Sequence, residues 1–279
     1  MADLPLFREL DRPHSPLLDR LRQDYATAQP FPYLVMDQLF PVDLLQNALQ
    51  VFDLSTLNDV NIFHNQMQTK RSTSMATVLP PDVQKFFDIV HAAPFLRLLT
   101  RLTGITGLVP DPYLYGGGMH EVAGQGHFQV HLDFGYHPVT HLENRLALLT
   151  YLNTDWQVED GGALELWHDA PRQQGVRISP SFARTVLMEQ SARAWHGHPH
   201  GVREGRVRRA LIAYFYTAPR AQEYTRSHDT RYLGTVSQSM PQRLEVLLRR
   251  LMPPLVMDAA RARRRRRLHV QSRDKAGHL

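Results

Sequence analysis

Apolar and polar residues alternate with a period of two through the middle of this chain, and with a period near 3.6 on either side of it. Residues 124–134 (GQGHFQVHLDF) and the apolar run 145–153 (RLALLTYLN) read as two strands. The second runs out at Asp155-Trp156 and reaches the turn signal Gly161-Gly162, after which Ala163–Trp167 resumes the alternation. Thr185–Glu189, Trp195–Val202 and Val207–Thr217 add three more strands, and Phe31–Met36 an early one. Helical periodicity appears at Leu17–Tyr25, and at Leu45, Leu49 and Phe52. It returns at Val83, Phe86, Phe87 and Val90 behind Asp82 as N-cap, and at Phe95, Leu98, Leu99 and Leu102, where Gly104 stops the helix. A last helix, with Leu244, Leu247, Leu248 and Leu251, opens at Pro241 and ends at Pro253-Pro254. These elements predict a mainly β protein whose helices buttress the outer face of a large sheet. No internal repeat is visible.

Composition narrows the chemistry. With 43% hydrophobic residues among 279, one sizeable core can form. Cysteine is absent, which excludes disulfides, thiolate zinc sites and iron–sulfur clusters, so any metal must be held by histidine and carboxylate. The stretch 1–15 carries charges and prolines where a signal peptide needs an apolar run, and no segment has the length of a membrane span, so a cytoplasmic protein is expected. The net charge of +5 belongs to the end of the chain: residues 261–279 hold eight Arg or Lys against one Asp, so the remainder carries −2. The Arg261–Arg267 block could meet nucleic acid or an acidic partner, but it has no interleaved aromatic residue to stack on bases and reads first as a solvated, disordered terminus.

Within the β region stands His131-Leu132-Asp133, followed 63 positions after Asp133 by His196 and a further 12 on by Arg208. On a strand, His131 and Asp133 share one face and can grip one ion while Leu132 packs on the other side. Two imidazoles and one carboxylate on one face of an octahedral ion leave three positions open, the arrangement of non-haem Fe(II) oxygenases. The tripeptide alone is a weak signal in a chain with 15 histidines. Periodicity does not choose between His196 and His198, which share a face of an extended segment, and His200 stands close by. Arg209 is the opposite-face rival of Arg208, and Gln129 shares the face of His131. Tyr136 and Trp195 flank the ligands as entrance or packing aromatics, and Gly116-Gly117-Gly118 reads as a flexible turn without the context of a phosphate loop.

The ordered series HxD (131–133), YLN.DW (151–156), GG.LELW (161–167), S...WHGHP (191–199) and R.A...Y.Y (208–216) resembles the 2-oxoglutarate and Fe(II)-dependent oxygenases of the prolyl-hydroxylase-like group, from about Asp111 to Pro219. The resemblance implies a double-stranded β-helix, or jelly roll, with Fe(II) held by His131, Asp133 and His196. It selects His196 for its His-Gly pair and Arg208 for the pattern Ala210, Ile212, Tyr214 that follows. It makes Arg208 the anchor of the 2-oxoglutarate cosubstrate and places Thr150 where relatives carry a hydroxyl near the cosubstrate carboxylate. One departure is Ala210, where relatives often have serine. The implied reaction is hydroxylation of an unactivated C–H bond with dioxygen, releasing succinate and CO2, on a prolyl residue of a peptide or a small amino acid; retention of Asp133 favours hydroxylation over halogenation.

The expected organisation is an N-terminal buttress over residues 1–110, the β-helix core over 111–219, a helical extension over 220–260 and the Arg-rich tail over 261–279. Two other functions compete: a jelly-roll metal or small-molecule binder without oxygenase activity, which has no need of Arg208, and a nucleic-acid-associated protein acting through its tail.

Overall fold

The computed structural model describes residues 9–233, apart from 11, 13, 171 and 221–228. The helix expected from Pro241, the Arg-rich tail and most of the 220–260 extension lie outside the described residues. No helix among the described residues is long and apolar enough to cross a membrane.

Two antiparallel sheets form the centre. In chain order the strands are β1 (Tyr33–Asp37), β2 (Asn61–His64), β3 (Thr69–Ser72), β4 (Val109–Pro110), β5 (Gly118–Ala123), β6 (Phe128–Leu132), β7 (Glu143–Tyr151), β8 (Leu164–Trp167), β9 (Gln174–Ile178), β10 (Arg184–Glu189), β11 (Trp195–His198), β12 (Val207–Thr217) and β13 (Arg231–Tyr232). The major sheet runs β1-β10-β7-β12-β5-β3-β2, with β4 also on β12; the minor sheet runs β13-β6-β11-β8-β9. From β5 to β12 the chain passes back and forth between the two sheets, which makes the sandwich a double-stranded β-helix.

Each sheet face has its own filling. Between the sheets, Ala147, Leu149, Tyr151, Ala210, Ile212 and Tyr214 of the major sheet meet Leu164, Leu166 and Ile178 of the minor sheet. On the far side of the major sheet, Leu146, Leu148, Leu187, Leu211, Ala213 and Phe215 pack on helices α1 (Pro16–Thr27), α2 (Val42–Gln50), α3 (Pro81–His91) and α4 (Ala93–Thr103). The residues of the 3.6-periodic stripes, Val83, Phe86, Phe87, Val90, Phe95, Leu98, Leu99 and Leu102, are all buried there. The N-terminal helices and the β-helix therefore share one core.

Local chemistry sets the helix ends. Ser15 caps α1 by accepting the Leu18 N–H at 3.2 Å, and Gly104 closes α4 in the left-handed conformation, φ 75°. Asp82 is not the N-cap of α3: Pro80 holds that position and Pro81 starts the helix. Asp82 sits in the first turn, where its charge suits the helix dipole and pairs with Lys85 at 2.7 Å. The strand expected from residue 124 begins at Phe128, because 124–126 form a turn, and the strand expected over Trp195–Val202 ends at His198. The triple glycine is not a free turn throughout, since Gly118 already belongs to β5.

Candidate metal and cosubstrate site

The site lies at the end of β6 and β11 in the minor sheet and is walled by the inner face of the major sheet. His131 and His196 are direct antiparallel partners, so their side chains emerge side by side from adjacent strands. This close pairing depends on Gly197: a Cβ there would stand 2.8 Å from the carbonyl oxygen of Phe128 and 2.9 Å from that of Gln129. The glycine serves the approach of β11 to β6 and only through it the ligands. Asp133 follows one residue past the end of β6 and turns its carboxylate back between the two rings.

The donor set has one unbalanced feature. His131 directs Nδ1 at the Gln129 carbonyl, 2.7 Å, and His196 directs Nδ1 at the Ala194 carbonyl, 2.9 Å. A carbonyl only accepts, so each Nδ1 carries the proton and each Nε2 of a neutral ring presents a lone pair. Those two Nε2 atoms lie 3.2 and 3.4 Å from the Asp133 oxygens, and the buried Nε2 of His131 has no hydrogen-bond partner. Lone pairs facing carboxylate oxygens at that range require a cation among them. The ligand atoms of His131, Asp133 and His196 all lie within 4.8 Å of one another, which fits one ion.

Burial alone would raise the Asp133 carboxyl, yet the flanking His196 and His131 hold it well below the usual carboxylate range. Burial, then the neighbouring His196, pushes the His131 ring down to about 4, so it stays a neutral ligand. His196 is raised despite its burial, because Asp133 lies beside it. Tyr214 completes the set by donating its hydroxyl to the second Asp133 oxygen at 3.0 Å, which fixes the carboxylate's rotation.

Arg208 stands on the inner face of β12, 3% exposed. Its Nε donates to the Gly162 carbonyl at 2.8 Å and its Nη2 to the Tyr151 hydroxyl at 3.2 Å, leaving part of the guanidinium fork for a carboxylate. Gly162, at φ 62°, lets the chain reach this carbonyl contact, and a Cβ there would lie 3.1 Å from the Arg208 side chain. Arg209 points the other way, toward Glu121 at 3.6 Å and the Phe52 ring.

Thr150 does not join the site. Its Cα pairs with Leu211 and Thr185, so strand alternation turns it to the helix-packed face, where its hydroxyl bonds that of Thr185 at 3.0 Å. The neighbouring Tyr151, paired with Ala210, supplies the inward hydroxyl instead. His198 is buried beside the site but outside the triad, its Nδ1 without a hydrogen-bond partner; burial and then the Arg208 charge keep it well below its ordinary pKa. His200 is largely exposed and reaches Glu165 at 3.3 Å. Trp195 belongs to the outer face of the minor sheet, donating to Asp169 at 2.8 Å beneath Arg172.

The periodicity did not single out Tyr151, Tyr214, His120 or Lys70. His120 lies on β5 opposite Ala210, buried, with Nε2 at 3.1 Å from the Gly117 carbonyl. Burial, then the Lys70 charge, lowers it to about 3. The alternation of β5 placed it on the Val122 face, but without a second chemical group in sequence nothing marked it.

A jelly roll with a two-histidine, one-carboxylate cluster and an adjacent buried arginine has the donor set that non-haem Fe(II) oxygenases use. The comparisons agree: residues 117–217, which hold all four of these residues, match the 2OG-Fe(II) oxygenase superfamily. The fold is similar to a Pseudomonas putida prolyl-4-hydroxylase at 17% identity, over 72% of this chain and 100% of that one, TM-score 0.50. It is similar to a Trichoplax adhaerens prolyl hydroxylase, solved with a hypoxia inducible factor peptide fragment, at 16% identity over 76% and 91% of the two chains, TM-score 0.53. A non-heme alpha ketoglutarate dependent epimerase of nogalamycin biosynthesis aligns at 12% identity over 75% and 88%, TM-score 0.52. No curated protein matches the sequence. The family match spans residues 117–217, and these neighbours share the fold of the described chain.

Proposed function

We propose that this protein is a 2-oxoglutarate-dependent hydroxylase of a C–H bond in a prolyl residue or an amino acid, releasing succinate and CO2. The observation that carries the reading is the pair of Nε2 atoms converging on Asp133, with the buried Arg208 fork on the neighbouring sheet. His131, Asp133 and His196 would hold Fe(II), and Arg208 would pair with the remote carboxylate of 2-oxoglutarate. With 2-oxoglutarate and dioxygen, the iron supplies the oxidising chemistry.

The chain's own residues prepare that chemistry in three ways. The Gln129 and Ala194 carbonyls and the Tyr214 hydroxyl hold the three ligands in fixed rotamers. Tyr151 and the Gly162 carbonyl orient the Arg208 fork before the cosubstrate arrives, so little side-chain freedom is lost on binding. Phe128, stacked on the His131 ring with centroids 3.8 Å apart, keeps water from one side of the centre. The Trichoplax neighbour, solved with a peptide, supports a prolyl substrate by analogy of fold.

The test is succinate release from the iron-loaded full chain with free amino acids, prolyl peptides and cell extract in turn. Release that rises with one of these and tracks oxygen uptake is the expected result. Absence of any 2-oxoglutarate consumption by iron-loaded protein would contradict the reading.

A further inference from the structure

Among the described residues, Lys70 is a cation at this site that the proposed reaction leaves unused. It lies on β3, two residues from Ser72, which pairs with His120, which in turn pairs with Ala210, so it faces the space that Arg208 faces. Its Nζ stands 3.9 Å from the centroid of Phe128, the ring stacked on His131, and 5.6 Å from that of Phe63. Among the described residues no carboxylate forms an ion pair with it. The negative charge that acts on it is Asp133, already committed to two histidines and Tyr214. Burial, relieved in part by Asp133, brings the Lys70 ammonium down to about 8, so it keeps its charge at neutral pH without an ion-paired carboxylate among the described residues.

The net charge of the loaded site bears on what substrate it takes. Fe(II) bound by Asp133 would carry one net positive charge, and Arg208 and Lys70 add one each, while burial and then the Lys70 charge hold His120 neutral. The 2-oxoglutarate dianion would cancel two, which leaves one positive charge, on the half-buried Lys70, unmatched among the described residues, an arrangement that desolvation penalises. The site becomes neutral when the last component to enter brings a single negative charge.

We propose, resting on the hydroxylase reading above, that Lys70 is the specificity-determining residue of this site and that the substrate presents a carboxylate to it. The carboxylate is either the end group of a free amino acid or the side chain of an acidic residue beside the target residue in a peptide. Phe128 and Phe63 hold the ammonium from below and leave its remaining N–H groups for that carboxylate. The aromatic platform gives direction and the missing counterion gives selectivity for acids over their amides.

The experiment uses the full chain loaded with Co(II) and 2-oxoglutarate, and reads the paramagnetic relaxation of probe protons by NMR. Three matched pairs are compared: propanoate with propanamide, proline with prolinamide, and acetyl-Pro-Glu-amide with acetyl-Pro-Gln-amide. In wild type the acid of at least one pair should relax faster than its amide by about tenfold, the discrimination one buried charge pair supplies. The proline pair or the peptide pair then tells a free amino acid from an acidic peptide. Lys70→Met should erase the difference while 2-oxoglutarate affinity stays within about threefold, and Lys70→Arg should keep it. No acid preference in any pair, a preference that survives Lys70→Met, or loss of 2-oxoglutarate binding in Lys70→Met would each overturn the assignment. Failure of the wild-type Co(II) protein to bind 2-oxoglutarate would instead remove the hydroxylase reading on which it rests.

Discussion

The two faces of the strand pair β7 and β12 are built from alternate residues of the same sequence and do opposite things. Leu146, Leu148, Leu211, Ala213 and Phe215 face the helices and make a dry core. Tyr151, Arg208 and Tyr214, each one residue out of step with those, face the minor sheet, where Tyr151 accepts from the Arg208 guanidinium and Tyr214 donates to Asp133. A face that binds by shape tolerates any apolar residue of suitable volume, whereas the inner face works through single atoms with fixed partners. The division therefore predicts that outer-face substitutions change stability and leave ligand affinity alone, and that inner-face substitutions do the reverse.

The largest effect belongs to the ligands. His131→Ala, Asp133→Ala and His196→Ala should each abolish Fe(II) binding in a folded chain, while His198→Ala and His200→Ala retain it, as metal analysis after gel filtration would report. Iron kept by the His196 variant and lost by the His198 variant would reverse the assignment. On the other face, Phe215→Ala should cost about 3–5 kcal/mol of stability in urea denaturation, because a fully buried ring leaves a cavity, with the iron stoichiometry of the folded protein unchanged.

Acid lability should be visible on both sides of the sheet. Burial lowers His91 on α3 to about 4 and His120 on β5 to about 3, so each stays neutral in the folded chain while the unfolded chain protonates near pH 6.5. The unfolded state then binds more protons below that value, so stability is present above about pH 6.5 and is lost as the pH falls toward the folded values. Thermal melts of metal-free protein should fall between pH 7 and pH 5, by up to about 2 kcal/mol for each histidine at pH 5. His120→Gln should flatten part of this slope; an unchanged slope would show that His120 is not the group responsible.

The sharpest contrast of the two faces lies in adjacent residues. Tyr151→Phe removes a hydroxyl from Arg208 and should weaken 2-oxoglutarate binding by about 1 kcal/mol, whereas Thr150→Val removes one from Thr185 and should cost a similar amount of stability with cosubstrate affinity intact. Calorimetric titration beside a denaturation curve separates them, and a cosubstrate defect in the Thr150 variant would put the register of β7 in doubt. The smallest effect is expected from Arg209→Ala, whose side chain meets Glu121 across a partly exposed gap and should change cosubstrate affinity by no more than about 0.5 kcal/mol.

What the sequence made legible follows the same division. The apolar stripes of α3 and α4 and the strands β7, β10 and β12 declare themselves because periodic burial leaves a periodic pattern. Ordered motifs and a family resemblance pointed to His131, Asp133, His196 and Arg208 and chose His196 over His198 where alternation alone could not; the structure brings the ligand atoms of the first three within 4.8 Å of one another. Polar strands were not legible: β3 is Thr-Lys-Arg-Ser and carries almost no hydrophobic signal, so Lys70 passed unnoticed. Thr150 went wrong by one residue. A single step along a strand exchanges the faces, and a motif that marks a neighbourhood does not fix which neighbour points inward.

The central claim is that the triad and Arg208 together form one site for Fe(II) and 2-oxoglutarate. It is tested most directly by anaerobic titration of 2-oxoglutarate into the Fe(II) protein, followed by metal-to-ligand absorption, in wild type, Arg208→Lys and Arg208→Ala. The account predicts a saturable band in wild type, weaker binding when the bidentate fork becomes a point charge, and a loss of about two to four powers of ten in Arg208→Ala, as expected for removing one side of a buried charge pair. No band in wild type, or near wild-type affinity in Arg208→Ala, would contradict it.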